Sequence, residues 1–88
     1  MKIKDGFVLR EIAGQTVVIA TGEASKTFHG MVKLNGTGRD IWQGLANGLS
    51  AEEIARELVE KYEGVDQAKA LADTTRLIGK MEEAGFLA

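Results

Sequence analysis

The sequence predicts an α+β fold, a three-stranded antiparallel sheet followed by three helices. Apolar residues alternate or cluster as β-branched runs only within the first 34 positions, and from residue 36 onwards they recur at spacings of three and four. The chain has eleven glycines and no proline, so turns fall at glycine and no proline interrupts a helix. Its 88 residues make one domain, residues 1–88, with a small core.

The first strand is placed over about 7–12, with Phe7 and Leu9 on one face and Val8, Arg10 and Ile12 on the other. A second strand over 15–21 rests on Val17, Val18 and Ile19, whose branched side chains suit a pleated surface. Ala13 and Gly14 between them predict a tight hairpin, because glycine adopts positive φ without a steric penalty. The polar stretch 22–27 reads as a loop. A short third strand over 30–34, starting at Phe28 or Gly30, ends at Leu34.

Asn35 or Thr37 caps a first helix over 36–47, with Ile41, Trp42 and Leu45 along one side and Asn47-Gly48 as its stop. Ser50 and Glu53 have the spacing of a capping box and open a second helix over 51–62, with Ile54, Ala55, Leu58, Val59 and Tyr62 as its stripe. Asp66 caps a third helix over 67–84, and Gly85 suits the left-handed position after it. On that helix Ala70, Leu71, Thr74, Leu77, Ile78, Met81 and Ala84 cover an arc of roughly 140° at ~100° per residue. Such a stripe meets helices on one side and the sheet on the other, or leaves its margin, Leu77 and Ala84 beside Asp73 and Lys80, to a partner.

Composition removes several function classes. Without cysteine there is neither a disulfide framework nor a thiolate metal site, which fits a reducing cytoplasm. No apolar run approaches the ~20 residues that span a bilayer, and the charged start lacks the apolar stretch of a signal peptide. A cytoplasmic protein with no membrane partner is expected. His29, the one histidine, reads as a solvated residue at the third strand's start. Ser25 lies in a turn, Ser50 is a cap, and the glycines at 36 and 38 lack the lysine of a phosphate loop. Glu52, Glu53, Glu57 and Glu60 form a solvated helix face. No catalytic residue, metal or cofactor is expected. The charges divide unevenly: residues 1–34 hold five cations against three acids, and residues 35–88 hold six against ten. An acidic helical half opposes binding to a phosphate backbone, so no nucleic acid is expected as partner.

The junction LNGTGRDIW at 34–42, the segment LSAEEIARELVEKY at 49–62, and Ala72-Asp73 leading through Leu77 and Ile78 to EEAGFL resemble PqqD-like proteins, in this order and spacing. The resemblance is strongest over residues 31–87, and the amino-terminal GQTVVIATGE is similar to small stand-alone members. Thr74 and Leu77 stand where members often have a valine and an aromatic residue. The resemblance implies a winged-helix-like fold and a non-catalytic role as a peptide chaperone, a recognition element for ribosomally made and modified peptides. The leader of a precursor peptide would add as a fourth strand beside the third. The edge would be Met31, Val32, Lys33 and Leu34, and the groove wall Asp73, Leu77, Lys80, Met81 and Ala84. Lys33 and Lys80 would attract an acidic leader, and Trp42 would anchor the core. The partner enzyme implied is a radical S-adenosylmethionine enzyme or another peptide-modifying enzyme, in pyrroloquinoline quinone (PQQ) biosynthesis or for another peptide.

Two other functions fit the same elements. Three helices and a hairpin also build winged-helix regulators that bind DNA, with the third helix as reader. Its Lys69, Arg76 and Lys80 are outnumbered by Asp66, Asp73, Glu82 and Glu83. An exposed edge strand can also pair with its own copy, giving a homodimer or larger structural module.

Overall fold

The computed structural model describes residues 2–26 and 31–88, with Met31 described through its backbone. Strands β1 (Phe7–Ile12), β2 (Gln15–Ala20) and β3 (Met31–Leu34) form an antiparallel sheet in the order β1-β2-β3, and helices α1 (Gly36–Ala46), α2 (Ala51–Lys61) and α3 (Gln67–Glu83) follow. The fold class is the one the sequence predicts. The polar stretch after β2 departs from expectation: Gly22–Lys26 is a 3-10 helix. Ser25 Oγ donates to the Gly22 carbonyl at 2.6 Å, and Lys26 pairs with Glu23 at 3.2 Å. Thr27, Phe28, His29 and Gly30 lie outside the described residues.

Local chemistry sets the element ends. Ala13 and Gly14 both have positive φ, 53° and 77°, the turn that a two-residue hairpin needs. Of the two candidate caps for α1, Asn35 is the one used, its side chain accepting from the Gly38 N–H at 2.7 Å. In the Ser50-Glu53 capping box the Ser50 N–H donates to Glu53 Oε1 at 3.0 Å and the Glu53 N–H to Ser50 Oγ at 3.2 Å. These bonds from Ser50 hold the Glu53 carboxyl below its ordinary pKa. Asp66 accepts from the Lys69 N–H at 2.7 Å.

The sheet turns one face to the helices. Leu9, Val18 and Val32 lie in one row across the strands and join Ile41, Trp42, Leu45, Ile54, Leu58, Ile78, Met81 and Phe86 in the core. Alternation sends Arg10, Val17 and Lys33 to the opposite face, and Ile12 there is 48 % exposed. Phe86, just past α3, sits between Phe7 at 4.9 Å and Trp42 at 5.7 Å, centroid to centroid. It therefore ties β1, α1 and the carboxyl-terminal segment together. An amino-terminal arm completes the closure, with the Lys4 N–H donating to the Phe86 carbonyl and the Ala88 N–H to the Lys2 carbonyl, at 2.7 and 2.9 Å. Helix α1 meets α2 closely at Gly44, where a Cβ would stand 2.6 Å from Ile54 Cγ1.

One core position is chemically mismatched. Thr74 is fully buried on α3, and its Oγ1 has no hydrogen-bond partner among the described residues. An unpaired buried hydroxyl costs about 1–3 kcal/mol. Thr74→Val is expected to stabilise the fold by about 1 kcal/mol, read as a higher urea midpoint at unchanged slope.

Candidate functional site

β3 lies at the edge of the sheet, and its hydrogen-bond phase decides which backbone groups are open. The Thr21 N–H donates to the Gly6 carbonyl at 2.6 Å. In an antiparallel ladder bonded pairs alternate with unbonded ones, so the bonded pairs of β1 and β2 are Val8 with Ile19, Arg10 with Val17 and Ile12 with Gln15. Thr16 and Val18 then turn their backbone groups toward β3, opposite Leu34 and Val32. Met31 and Lys33 are left with N–H and C=O facing away from β2. The Lys33 side chain lies on the outer sheet face with Val17, and those of Val32 and Leu34 share the face toward the helices.

A groove of about 530 Å³ borders this edge. Lys33, Leu34 and the first turn of α1 form one wall, Ile41 contributes an apolar patch, and Asp73, Arg76, Leu77 and Lys80 of α3 form the other. Arg76 donates to Asp73 Oδ1 at 2.7 Å. A second hollow of about 440 Å³ shares Lys33, Leu34 and Asn35 with the first and continues to the hairpin, past the Arg39–Glu11 ion pair at 3.1 Å.

Of the nine residues nominated from the sequence, Lys33, Leu34, Asp73, Leu77 and Lys80 line the groove. Met31 and Val32 belong to the adjoining edge strand, and Val32 packs against the core. The other two stand elsewhere. Met81 is 3 % exposed and part of the core, because it lies on the α3 face of Ala70, Thr74 and Ile78. Ala84 has the azimuth of the groove residues but sits seven positions beyond Leu77, about 10 Å along the helix. It lines a different hollow, with Lys4, Phe7 and Ala24. Arg76 was not among the nine, although its position three residues after Asp73 brings it to the same side.

Behind the groove, α1 is braced against the end of α2. Asp40 accepts from the Tyr62 hydroxyl at 2.5 Å and from Lys61 Nζ at 2.9 Å. Burial pushes the Asp40 carboxyl up, but the Tyr62 hydroxyl, the Lys61 ammonium and the charge of Arg39 together outweigh it and hold the pKa below its ordinary value. The bond to Asp40 raises Lys61 and Tyr62. A depressed carboxylate pKa stabilises the fold above the unfolded value and loses that contribution as pH falls through the folded one. Raised lysine and tyrosine values contribute below about 10 and fade as pH rises through them. The stability advantage of the wild type over Asp40→Asn is therefore expected to be full near neutrality. Urea titrations should show it shrinking as pH drops below about 3.8 and again above about 10.

Comparison with known proteins agrees with this architecture. The family described as Coenzyme PQQ synthesis protein D (PqqD) matches residues 15–87, and the chain belongs to that family. Among solved structures, TbiB1 in complex with the TbiA(beta) leader peptide has the same fold, with a TM-score of 0.79 at 24% identity over 99% of this chain and 94% of that one. A lasso peptide synthetase B1 complexed with the leader peptide gives 0.80 at 22% identity, over 99% and 95%. No curated protein matches the chain.

Proposed function

We propose that this protein is a non-catalytic adaptor that captures the leader of a ribosomally made precursor peptide by strand addition along β3 and presents it to a modifying enzyme. The observation that carries this is the juxtaposition of the outward backbone groups of Met31 and Lys33 with the groove walled by α3. An open edge offers main-chain hydrogen bonds to any extended segment, and a neighbouring groove selects among side chains. Membership of the PqqD family and leader-peptide complexes in two proteins of the same fold support it. A radical S-adenosylmethionine enzyme in the cytoplasm is the partner we assign, from resemblance to the family.

Titrating the ¹⁵N-labelled protein with the precursor peptide encoded beside its gene tests the site. Amide signals of residues 31–34 and of Asp73, Leu77 and Lys80 are expected to move, and shifts confined to α2 would overturn the assignment. The same open edge supports a second reading, pairing of two copies through β3. Sedimentation would show an obligate dimer that the peptide cannot dissociate.

A further inference from the structure

The open edge sorts the side chains of an added strand onto two faces, and each face carries a lysine. Lys33 stands opposite Val17 on the outer face of the sheet. Lys80 stands on the α3 wall, toward which an added strand would send its inward side chains. Neither lysine belongs to an ion pair among the described residues, whereas Arg76 is held by Asp73 at 2.7 Å. On the α3 wall the charges are Arg76 and Lys80 against Asp73, two minus one, a surplus of one positive, and Lys33 adds a second on the outer face of the same edge. The whole chain carries a net charge of −2, so this surplus is a local departure from an acidic molecule.

We propose that the bound strand carries two acidic side chains at an odd separation, one or three residues apart, the first facing Lys33 outside the sheet and the second facing Lys80 inside the groove. This rests on the strand-addition reading above. The spacing follows from the strand's period of two: residues an odd number apart point to opposite faces, and residues an even number apart share one. Two acids at i and i+2 would crowd onto one face and leave a lysine unpaired on the other. Like charges placed side by side repel, which sharpens the preference. The Asp73–Arg76 pair meanwhile repels an acid at Asp73 and leaves Lys80 as the inward cation without a partner.

The test uses the full chain and a fluorescently labelled synthetic peptide of the precursor encoded beside its gene. In anisotropy titrations at about 50 mM salt, Lys33→Glu and Lys80→Glu are each expected to weaken binding roughly three- to tenfold, and the loss should shrink at about 500 mM salt. Changing one peptide acid to lysine should restore binding to Lys33→Glu, and changing another, an odd number of residues away, should restore it to Lys80→Glu. Unchanged affinity in either variant, or rescue by two acids an even number apart, would overturn the inference while strand addition stood. A peptide that fails to bind the wild type would overturn both.

Discussion

Lys33→Pro is expected to weaken peptide capture roughly thirtyfold while leaving the fold in place. The Lys33 N–H points away from β2, so proline removes a donor that the sheet does not use. Proline is tolerated on an edge strand where its missing N–H would face solvent, and it biases the preceding residue, Val32, toward the extended backbone it already has. The bound peptide would lose one hydrogen bond and bury a carbonyl without a donor, together about 2 kcal/mol or roughly thirtyfold in affinity. Calorimetric titration reads the loss, and a urea midpoint close to that of the wild type certifies the fold. Val32→Pro is the contrasting variant. Its N–H belongs to the bonded pair with Val18, so it should destabilise the sheet itself. A Lys33→Pro protein that binds the peptide like the wild type would show that β3 is not the docking edge.

Trp42→Ala is expected to produce the largest loss of stability, about 3–5 kcal/mol. Its side chain is 4 % exposed and meets Phe86 edge to face, and Phe86 in turn packs on Phe7. Removing the indole opens a void between α1, β1 and the carboxyl-terminal segment. A domain of this size has only about 5–15 kcal/mol in hand, so a large part of its margin disappears. Urea unfolding measures the cost. Trp42→Phe, which keeps an aromatic ring against Phe86, should lose markedly less. Since Trp42 does not line the groove, peptide affinity of the folded Trp42→Phe protein should stay near the wild-type value, and a large drop would assign the indole to the site.

The parts of this fold that were legible in the sequence are those fixed by neighbours a few residues away. The Ala13-Gly14 turn, the Ser50-Glu53 box and the Asp66 cap each close within one turn of chain, so residue type and spacing suffice to place them. Contacts across the chain were not legible in the same way. Nothing local marks Phe86 as a core residue or pairs Ile3 with Leu87, because both depend on how the ends return to the sheet. The α3 wheel supplied the azimuths of Asp73, Leu77 and Lys80 but not the position of β3. Met81, one helical turn beyond Leu77, enters the groove wall only through the family resemblance, and Arg76 figures in the sequence only among the cations of a DNA-reading helix. The 3-10 turn at Gly22–Lys26 was hidden in a polar stretch whose few hydrogen bonds are weak signals.

Over the described residues β3 presents four positions, and the consequence is one of affinity and time. Met31 and Lys33 offer four outward groups, two N–H and two C=O. At about 1 kcal/mol net for each hydrogen bond, the edge alone supplies roughly 4 kcal/mol, a millimolar dissociation constant. Any extended chain can be held that weakly, and it leaves quickly. Micromolar capture needs about as much again from side chains in the groove, and that increment lengthens residence rather than speeding arrival. The edge acts as a ruler that aligns every candidate, and the groove as a clock that lets the right one stay until an enzyme can reach it.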